Sequence, residues 1–221
     1  MKLTRRRLLG MAAGSGALAL GYAVGIEPVW LRTVEHVVPV RGLDPRLAGF
    51  RIAQLSDLHA GSRVPEEYLL RAGQRAMELG ADAIVFTGDF VHRGHAKDGV
   101  RTIAKLVQAL EAPQGVYAVL GNHDYGVYRP RGGASSLQAD ALGEALESGG
   151  VRLLRNESVR VERAGAELTI GGYDDLWSGR FDPEAIAPPT VALSHNPDTA
   201  PDLAANGIPL ILSGHTHGGQ V

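Results

Sequence analysis

Short apolar runs alternate with longer segments of helical period through the first two thirds of the chain. The apolar runs end in polar turns, which is typical of buried strands. The segments between them carry helix signals, such as Pro65 at a helix start and Gly80 just past its end. This alternation predicts an α/β sheet with crossover helices. The predicted strands are residues 51–56, 83–86 and 115–120, and the predicted helices are residues 65–79, 99–110 and 136–147.

The remaining third is richer in strands. Residues 151–154 begin it, and residues 159–163 and 168–171 alternate in exposure on either side of Ala164-Gly165, which predicts a hairpin. Two further short apolar strands follow, at Val191–Leu193 and Leu210–Leu212.

Composition limits the classes of protein that the chain can represent. With 221 residues, of which 44% are hydrophobic, it can bury a full core as one domain plus an N-terminal extension. It contains no cysteine, which excludes disulfides and thiolate zinc sites.

Charge is unevenly distributed along the chain. Four of the 22 basic residues lie before the first acidic residue, so the rest carries 18 basic against 24 acidic groups, a formal charge of −6. This balance argues against a nucleic-acid-binding surface. The four early basic residues are Lys2, Arg5, Arg6 and Arg7.

The N-terminus resembles a twin-arginine export signal, because a double arginine precedes an uncharged stretch from Leu8 to Ile26. Nineteen residues would extend about 28 Å as a helix, close to the thickness of a bilayer core. Both cleavage near Ala17-Leu18-Ala19 and retention as a membrane anchor stay open. In either case we expect the domain to face outward, at the outer face of the cytoplasmic membrane or in the periplasm or cell wall.

Three regions follow from these patterns. Residues 1–26 form the signal or membrane anchor. Residues 27–49 form a connector with a first edge strand, in which Pro39 interrupts three valines. Residues 50–221 form the main domain.

Seven metal-capable side chains fall just after the ends of five apolar strands. In an open α/β sheet the carboxyl ends of strands converge on one crevice, so these groups can meet in space. Their oxygen and nitrogen donors suffice for two divalent ions, with manganese, iron or zinc all compatible. Each motif alone has an ordinary explanation as a surface turn, but their joint occurrence predicts a dinuclear site. Asp89, alone at its strand end, is the natural bridge. The seven residues are Asp57, His59, Asp89, Asn122, His195, His215 and His217.

The motifs at these strand ends together resemble the signature of the calcineurin-like metallophosphoesterase superfamily. The resemblance runs from about Arg51 to Val221 and implies an α/β fold, a four-layer αββα sandwich of two mixed sheets flanked by helices. It also implies further strands beyond Val221, which would make the chain a C-terminally truncated fragment. The motifs are Asp57-Leu58-His59, Gly88-Asp89, Gly121-Asn122-His123-Asp124, His195 and Gly214-His215-Thr216-His217.

By motif position, the resemblance implies one metal held by Asp57, His59, Asp89 and His217, and a second held by Asp89, Asn122, His195 and His215. Two such cations about 3.5–4 Å apart lower the pKa of a bridging water, so that hydroxide can attack phosphorus.

Two further side chains are predicted to act in catalysis. His123 is the motif imidazole not required by the metals, and we assign it to stabilising phosphoryl oxygens and protonating the leaving alkoxide. Asp124 would orient this ring and favour its charged form, with a structural turn cap as the alternative. His92 could touch substrate, although a solvated loop position, shared with His95, explains it more simply.

The leading hypothesis is an exported, metal-dependent phosphodiester or pyrophosphate hydrolase. The export signal and the segment Gly172-Tyr173-Asp174-Asp175 further resemble exported, membrane-associated bacterial phosphodiesterases. A second hypothesis is a hydrolase of a lipid-linked nucleotide sugar such as UDP-diacylglucosamine. A third, from another class, is a non-catalytic envelope-binding module with structural metals. Expected partners are a phosphate-ester substrate, the membrane and the twin-arginine export machinery.

Overall fold

The computed structural model describes residues 4–25, 30–62, 64–92, 96–130 and 133–217, which divide into two compact units. The first unit, Met1–Val37, contains helix α1 (Arg5–Gly25). No helix in the described part of the chain combines the length and the apolarity that crossing a membrane requires.

The connector differs from the expectation of an edge strand. Residues 30–49 contain only a short 3-10 helix, Pro45–Leu47, and no strand. Val37 is 99% exposed, and the described strands of the two sheets do not include this apolar run.

The second unit, Val38–Val221, contains two four-stranded sheets. In the first sheet the strand order is β1-β2-β3-β4 and every pairing is parallel. In the second the order is β5-β6-β7-β8, with β5 antiparallel to β6 and the other pairs parallel. The elements are β1 (Ile52–Leu55), α2 (Glu66–Glu78), β2 (Ala83–Thr87), α3 (Ala96–Val107), β3 (Val116–Val119), α4 (Ser136–Ser148), β4 (Val151–Leu153), β5 (Glu157–Arg163), β6 (Ala166–Gly172), β7 (Val191–Leu193), α5 (Ala200–Ala205) and β8 (Ile211–Leu212).

Strand β2 shows why the strands of the first sheet are continuous apolar runs in the sequence. All five of its residues are buried. Ile84 and Phe86 pack with residues of the helices that cover one face, whereas Ala83 and Val85 pack with residues of the second sheet. A parallel strand covered on both faces needs apolar side chains at every position.

A third small core completes the layers. Tyr173, directly after β6, and Ala192 of β7 pack with Leu203 of α5 and with Ile208. The described elements therefore stack as helices, sheet, sheet and helix, which confirms the predicted sandwich of two sheets flanked by helices. One detail differs, because the first sheet is purely parallel rather than mixed. Each of β1, β2 and β3 is followed by a crossover helix that returns the chain to the same sheet, whereas the tight turn at Ala164-Gly165 makes β5 and β6 antiparallel.

Gly172, at the end of β6, allows the two sheets to approach each other closely. A Cβ atom at this position would lie 2.8 Å from Cγ1 of Val119 in the first sheet and closer still to Leu154. We expect Gly172→Ala to destabilise the fold by about 1–3 kcal/mol, because the added methyl group overpacks the space between the sheets. Urea unfolding measures this loss.

The matched control is Gly133→Ala, because no atom lies within 4 Å of a Cβ built at that loop position. Its free energy of unfolding should match that of the wild type. Equal stability of the two variants would contradict the packing explanation.

Candidate metal centre

The predicted metal ligands gather at the carboxyl ends of β1, β2, β3, β7 and β8. They form two groups, each with ligand atoms within 4.8 Å of one another. Asn122 adjoins the second group, since its Oδ1 lies 3.2 Å from Nε2 of His195. The first group is Asp57, His59 and His217, and the second is Asp89, His195 and His215.

Asp89 lies between the two groups. Its Oδ2 is 3.3 Å from Nε2 of His195 and 3.7 Å from Nε2 of His59. Its Oδ1 accepts a hydrogen bond of 2.9 Å from the backbone N–H of His123. One carboxylate oxygen is thus fixed by the protein, while the other faces an imidazole of each group. This placement suits the bridging role predicted for Asp89.

The turn after β8 is attached to the end of β1. The backbone N–H of His215 donates to both carboxylate oxygens of Asp57, at 3.0 and 3.1 Å. Oδ1 of Asp57 also lies 3.7 Å from Nε2 of His217. Residues separated by more than 150 positions in sequence are therefore held in one cluster.

The nitrogen donors of the cluster are close enough to need a cation or a shared proton. Nε2 of His59 lies 3.1 Å from Nε2 of His217, and Nε2 of His195 lies 3.2 Å from Nδ1 of His215. Each pair of nitrogens can share only one hydrogen bond. Imidazole nitrogens combined with carboxylate and amide oxygens fit borderline divalent ions such as manganese, iron or zinc. The residues present therefore fit two divalent metals, and the individual ligand assignments stay predictions.

Much of the cluster is built on unusual backbone. Seven non-glycine residues of the described chain have positive φ, and five of these are predicted ligands. Histidine and aspartate tolerate this region better than most residues, but each such residue still costs about 1–3 kcal/mol. Strain of this kind concentrates at functional sites. The five are Asp57, His59, Asp89, His215 and His217, with φ of 54°, 43°, 56°, 70° and 52°.

Burial and the Asp89 carboxylate have opposite effects on the pKa values of the neighbouring histidines. Burial disfavours the charged form of His195, but the hydrogen-bonded Asp89 carboxylate overrides it and raises the pKa of His195 to about 9. His59 is farther from Asp89, so burial dominates and lowers its pKa to about 4. The Asp89 carboxylate therefore stabilises the protonated, positively charged imidazole most strongly at His195.

Asp124 does not orient the His123 ring, in contrast to the role predicted from sequence. Its Oδ2 accepts from the backbone N–H of Gly121 at 2.9 Å, and its Oδ1 accepts from that of Val91 at 3.1 Å. The carboxylate therefore joins the loops after β2 and β3. Burial, followed by the charge of Asp89, raises the pKa of Asp124 to about 8. A side chain three residues into a tight turn reaches the backbone of its own turn more readily than a neighbouring ring, which favours the turn-cap alternative.

The His123 ring is surrounded by aromatic rings. Tyr128 lies edge-on at 4.8 Å and His59 at 4.7 Å between ring centroids, and His92 lies at 5.7 Å. Burial lowers the pKa of His123, which favours the neutral ring rather than the charged form expected from sequence. Aromatic contacts, and not a carboxylate, hold this imidazole in place.

Two features of the site were missed by sequence reasoning. His92 was assigned to a solvated loop, yet its ring lies beside His59 and His123. The signal was its position three residues after Asp89, at the same strand end. His95 lies outside the described residues. The second feature is the pair Asp174 and Asp175, which has no role in the sequence prediction.

Asp174 connects the loop after β6 to the end of the Gly121-Asn122-His123-Asp124 turn, here called the catalytic turn, and Asp175 lies in the same loop. Oδ1 of Asp174 accepts a hydrogen bond of 2.6 Å from the hydroxyl of Tyr125, the residue after Asp124. Asp175 is 1% exposed, and burial raises its pKa to about 6. In the same loop, Trp177 contacts the ring of His215 edge-on at 4.7 Å between centroids. This loop therefore forms one wall of the site.

Comparisons with known proteins give the same result as the site geometry. The chain is 32% identical to the uncharacterized metallophosphoesterase YkuE of Bacillus subtilis, over 100% of this chain and 79% of that protein. It is 29% identical to the phosphodiesterase YaeI of Escherichia coli, over 99% and 79%. It is 31% identical to the UDP-2,3-diacylglucosamine pyrophosphatase LpxG of Chlamydia trachomatis, over 90% and 73%. A family model described as calcineurin-like phosphoesterase matches residues 50–219. The superfamily predicted from the motifs is thereby confirmed, and the chain belongs to the calcineurin-like phosphoesterase family.

Proposed function

We propose that this phosphoester hydrolase is an exported enzyme that cleaves phosphodiester or diphosphate bonds with two divalent metal ions. The observation that carries the proposal is the position of Oδ2 of Asp89, which faces His59 of one group and His195 of the other. A single carboxylate shared by two imidazole-containing groups is the arrangement that two adjacent cations require. The retained His123 argues against a merely metal-holding module.

The seven side chains divide between two metals around Asp89. One metal would take Asp57, His59 and His217, and the other would take Asn122, His195 and His215. When bound, the metals supply phosphate binding and activation of a water near neutral pH.

His123 is placed to act on the substrate rather than on the metals. Its backbone N–H is committed to Asp89, and its half-buried ring adjoins His59. The ring can donate an N–H to a phosphoryl oxygen. An anionic phosphate beside it would favour the protonated ring, which can then transfer a proton to the leaving oxygen. Asp124 supports this role indirectly, because it joins the turn bearing His123 to the loop after β2.

The proposed location rests on the N-terminal sequence. Arg5, Arg6 and Arg7 precede the uncharged stretch, in the order that twin-arginine signals share. The export machinery would then be a partner, and the N-terminus would bring the enzyme to the outer face of the membrane.

A lipid-linked nucleotide sugar of the UDP-diacylglucosamine type is the second candidate substrate. The identity of 31% to LpxG favours it.

His123→Ala should lower kcat by about 10²–10⁴-fold, the usual contribution of a general acid, while the metal content stays at the wild-type value. Steady-state kinetics and elemental analysis measure the two quantities. The matched control is His36→Ala, because His36 is exposed in the first unit. A His123→Ala enzyme with wild-type turnover would refute the catalytic assignment.

Asp89→Ala should reduce the bound metal substantially, because this change removes the carboxylate oxygen that faces both groups. Elemental analysis after gel filtration in metal-containing buffer measures the stoichiometry. Asp140→Ala, on the exposed side of α4, is the matched carboxylate control. Full occupancy of two metals in Asp89→Ala would contradict the shared role of Asp89.

The whole 221-residue chain is stripped of metal and reloaded with manganese, iron or zinc, one metal at a time. It is then assayed on a phosphodiester, a nucleotide sugar and a phosphomonoester. We expect hydrolysis of the phosphodiester or of the nucleotide sugar. We expect activity to return only on addition of metal. Hydrolysis of none of the three substrates with any metal would contradict the proposed function in favour of an envelope-binding module.

A further inference from the structure

His92 lies beside His59 and His123 at the metal centre. The proposed function gives its imidazole no role. Its ring centroid lies 5.6 Å from that of His59 and 5.7 Å from that of His123. Nitrogen atoms of the three rings lie within 4.8 Å of one another. These distances place His92 at the same opening as the groups assigned to substrate and metal.

The backbone of His92 is fixed by the sheet. Its N–H donates to the oxygen of Ala60 at 3.0 Å, and the N–H of Ala60 donates to the oxygen of Phe90 at 2.8 Å. Val91 and Ala60 form a parallel bridge that continues the pairing of β1 with β2. His92 therefore projects from the extension of a buried strand pair, which constrains its position far more than a solvated loop would.

Of the three residues, His92 is the one not tied to the Asp89 carboxylate. Nε2 of His59 faces this carboxylate at 3.7 Å and the backbone N–H of His123 donates to it, whereas in the described part of the chain no carboxylate makes an ion pair with the His92 ring. His59 is buried against His217, whereas His92 and His123 are both partly exposed. The inner position is thus occupied by metal-binding chemistry, and the outer position of His92 keeps an imidazole N–H free of a carboxylate.

The spacing of these nitrogens suits a phosphate oxygen. Any three points within 4.8 Å of one another have a common point no more than about 2.8 Å from each, which is the length of a hydrogen bond. Nitrogens of His92 and His123 can thus donate to oxygens of one phosphate or of two linked phosphates. With His123 assigned to the phosphoryl group that is attacked, a second linked phosphate would give His92 a charged acceptor that a simple phosphodiester lacks.

We propose that His92 binds the second phosphate of a diphosphate substrate and thereby selects diphosphates over simple phosphodiesters. This inference rests on the proposed function and assigns its substrate class. In a phosphodiester, the outer position receives an uncharged leaving group, so His92 gains no charged acceptor there. In a diphosphate, the same position receives phosphate oxygens that accept its N–H.

The test compares His92→Ala with wild type on UDP-glucose and on bis(p-nitrophenyl) phosphate, using the full-length, manganese-loaded chain. We expect KM for UDP-glucose to rise by about tenfold or more, the usual loss for a hydrogen bond to a charged group. The value of kcat/KM for the phosphodiester should change by less than about twofold. His92→Asn, which keeps an N–H donor, should recover part of the loss, and His36→Ala should behave as wild type. Equal losses on both substrates, or no loss on either, would overturn the inference.

Two further measurements do not depend on turnover. Calorimetry should show methylenediphosphonate, a non-hydrolysable diphosphate analogue, binding about tenfold more weakly to His92→Ala than to the wild type. Elemental analysis should show an unchanged metal content. Loss of metal in His92→Ala would instead make His92 a metal ligand and overturn the proposal. If the wild type hydrolyses neither substrate, the proposed function fails, whereas binding of methylenediphosphonate still decides the role of His92.

Discussion

The Asp89 carboxylate connects the parts of this protein that matter most for its chemistry. Its Oδ1 is fixed by the backbone N–H of His123, and its Oδ2 faces imidazoles that belong to two different groups. A buried carboxylate is costly unless its charge is compensated, and Asp89 is only 2% exposed. The compensation comes from His195, whose pKa is raised by Asp89, and from the backbone N–H of His123. The loops after β1, β3 and β7 must all meet Asp89 at once, which constrains how the strands are arranged.

The two sheets satisfy this constraint by placing their carboxyl ends along one rim. Asp124 reinforces the rim on the side of the first sheet, where it joins the loops after β2 and β3. Asp57 reinforces it between the sheets, because its carboxylate accepts the backbone N–H of His215. Gly121 is required at the centre, since a side chain there would collide with the Asp89 carboxylate. The strained backbone of the ligand residues is sustained by these hydrogen bonds and by the packed layers beneath them.

Around the metal centre, side chains of different chemistry form two walls. His123, His92 and Tyr128 present imidazole and phenol groups on one side. Trp177 contacts His215 on the other side and lies in the loop that Asp174 connects to the catalytic turn. The first wall suits phosphate oxygens, and the aromatic face of the second suits an apolar or planar group. Selection among phosphoesters would therefore depend on loops rather than on the metal ligands.

The sequence alone determined the layered α/β fold and the residues that could bind metal. Both follow from local patterns: the short apolar runs and helical periods of the strands and helices, and the polar residues directly after strands such as Val116–Val119. It also predicted export, from the arginines in the first turn of α1 and the uncharged stretch after them, and this stays a prediction. Boundaries shifted by a few residues, as for α3, because the ends of helices depend on packing as well as on capping.

Only the tertiary structure decided the contacts between residues that are distant in sequence. Residues 30–49 contain no strand despite their valines, because a strand needs a pairing partner and the local pattern does not show whether one exists. The role of Asp124 depends on the distance to Val91, and that of His92 on the bridge between Ala60 and Val91. The connection of Tyr125 with Asp174 likewise spans two sheets. Sequence specifies which groups are available, whereas hydrogen bonding and electrostatics act over a few ångströms, so the roles of these groups were fixed only when the strands brought them together.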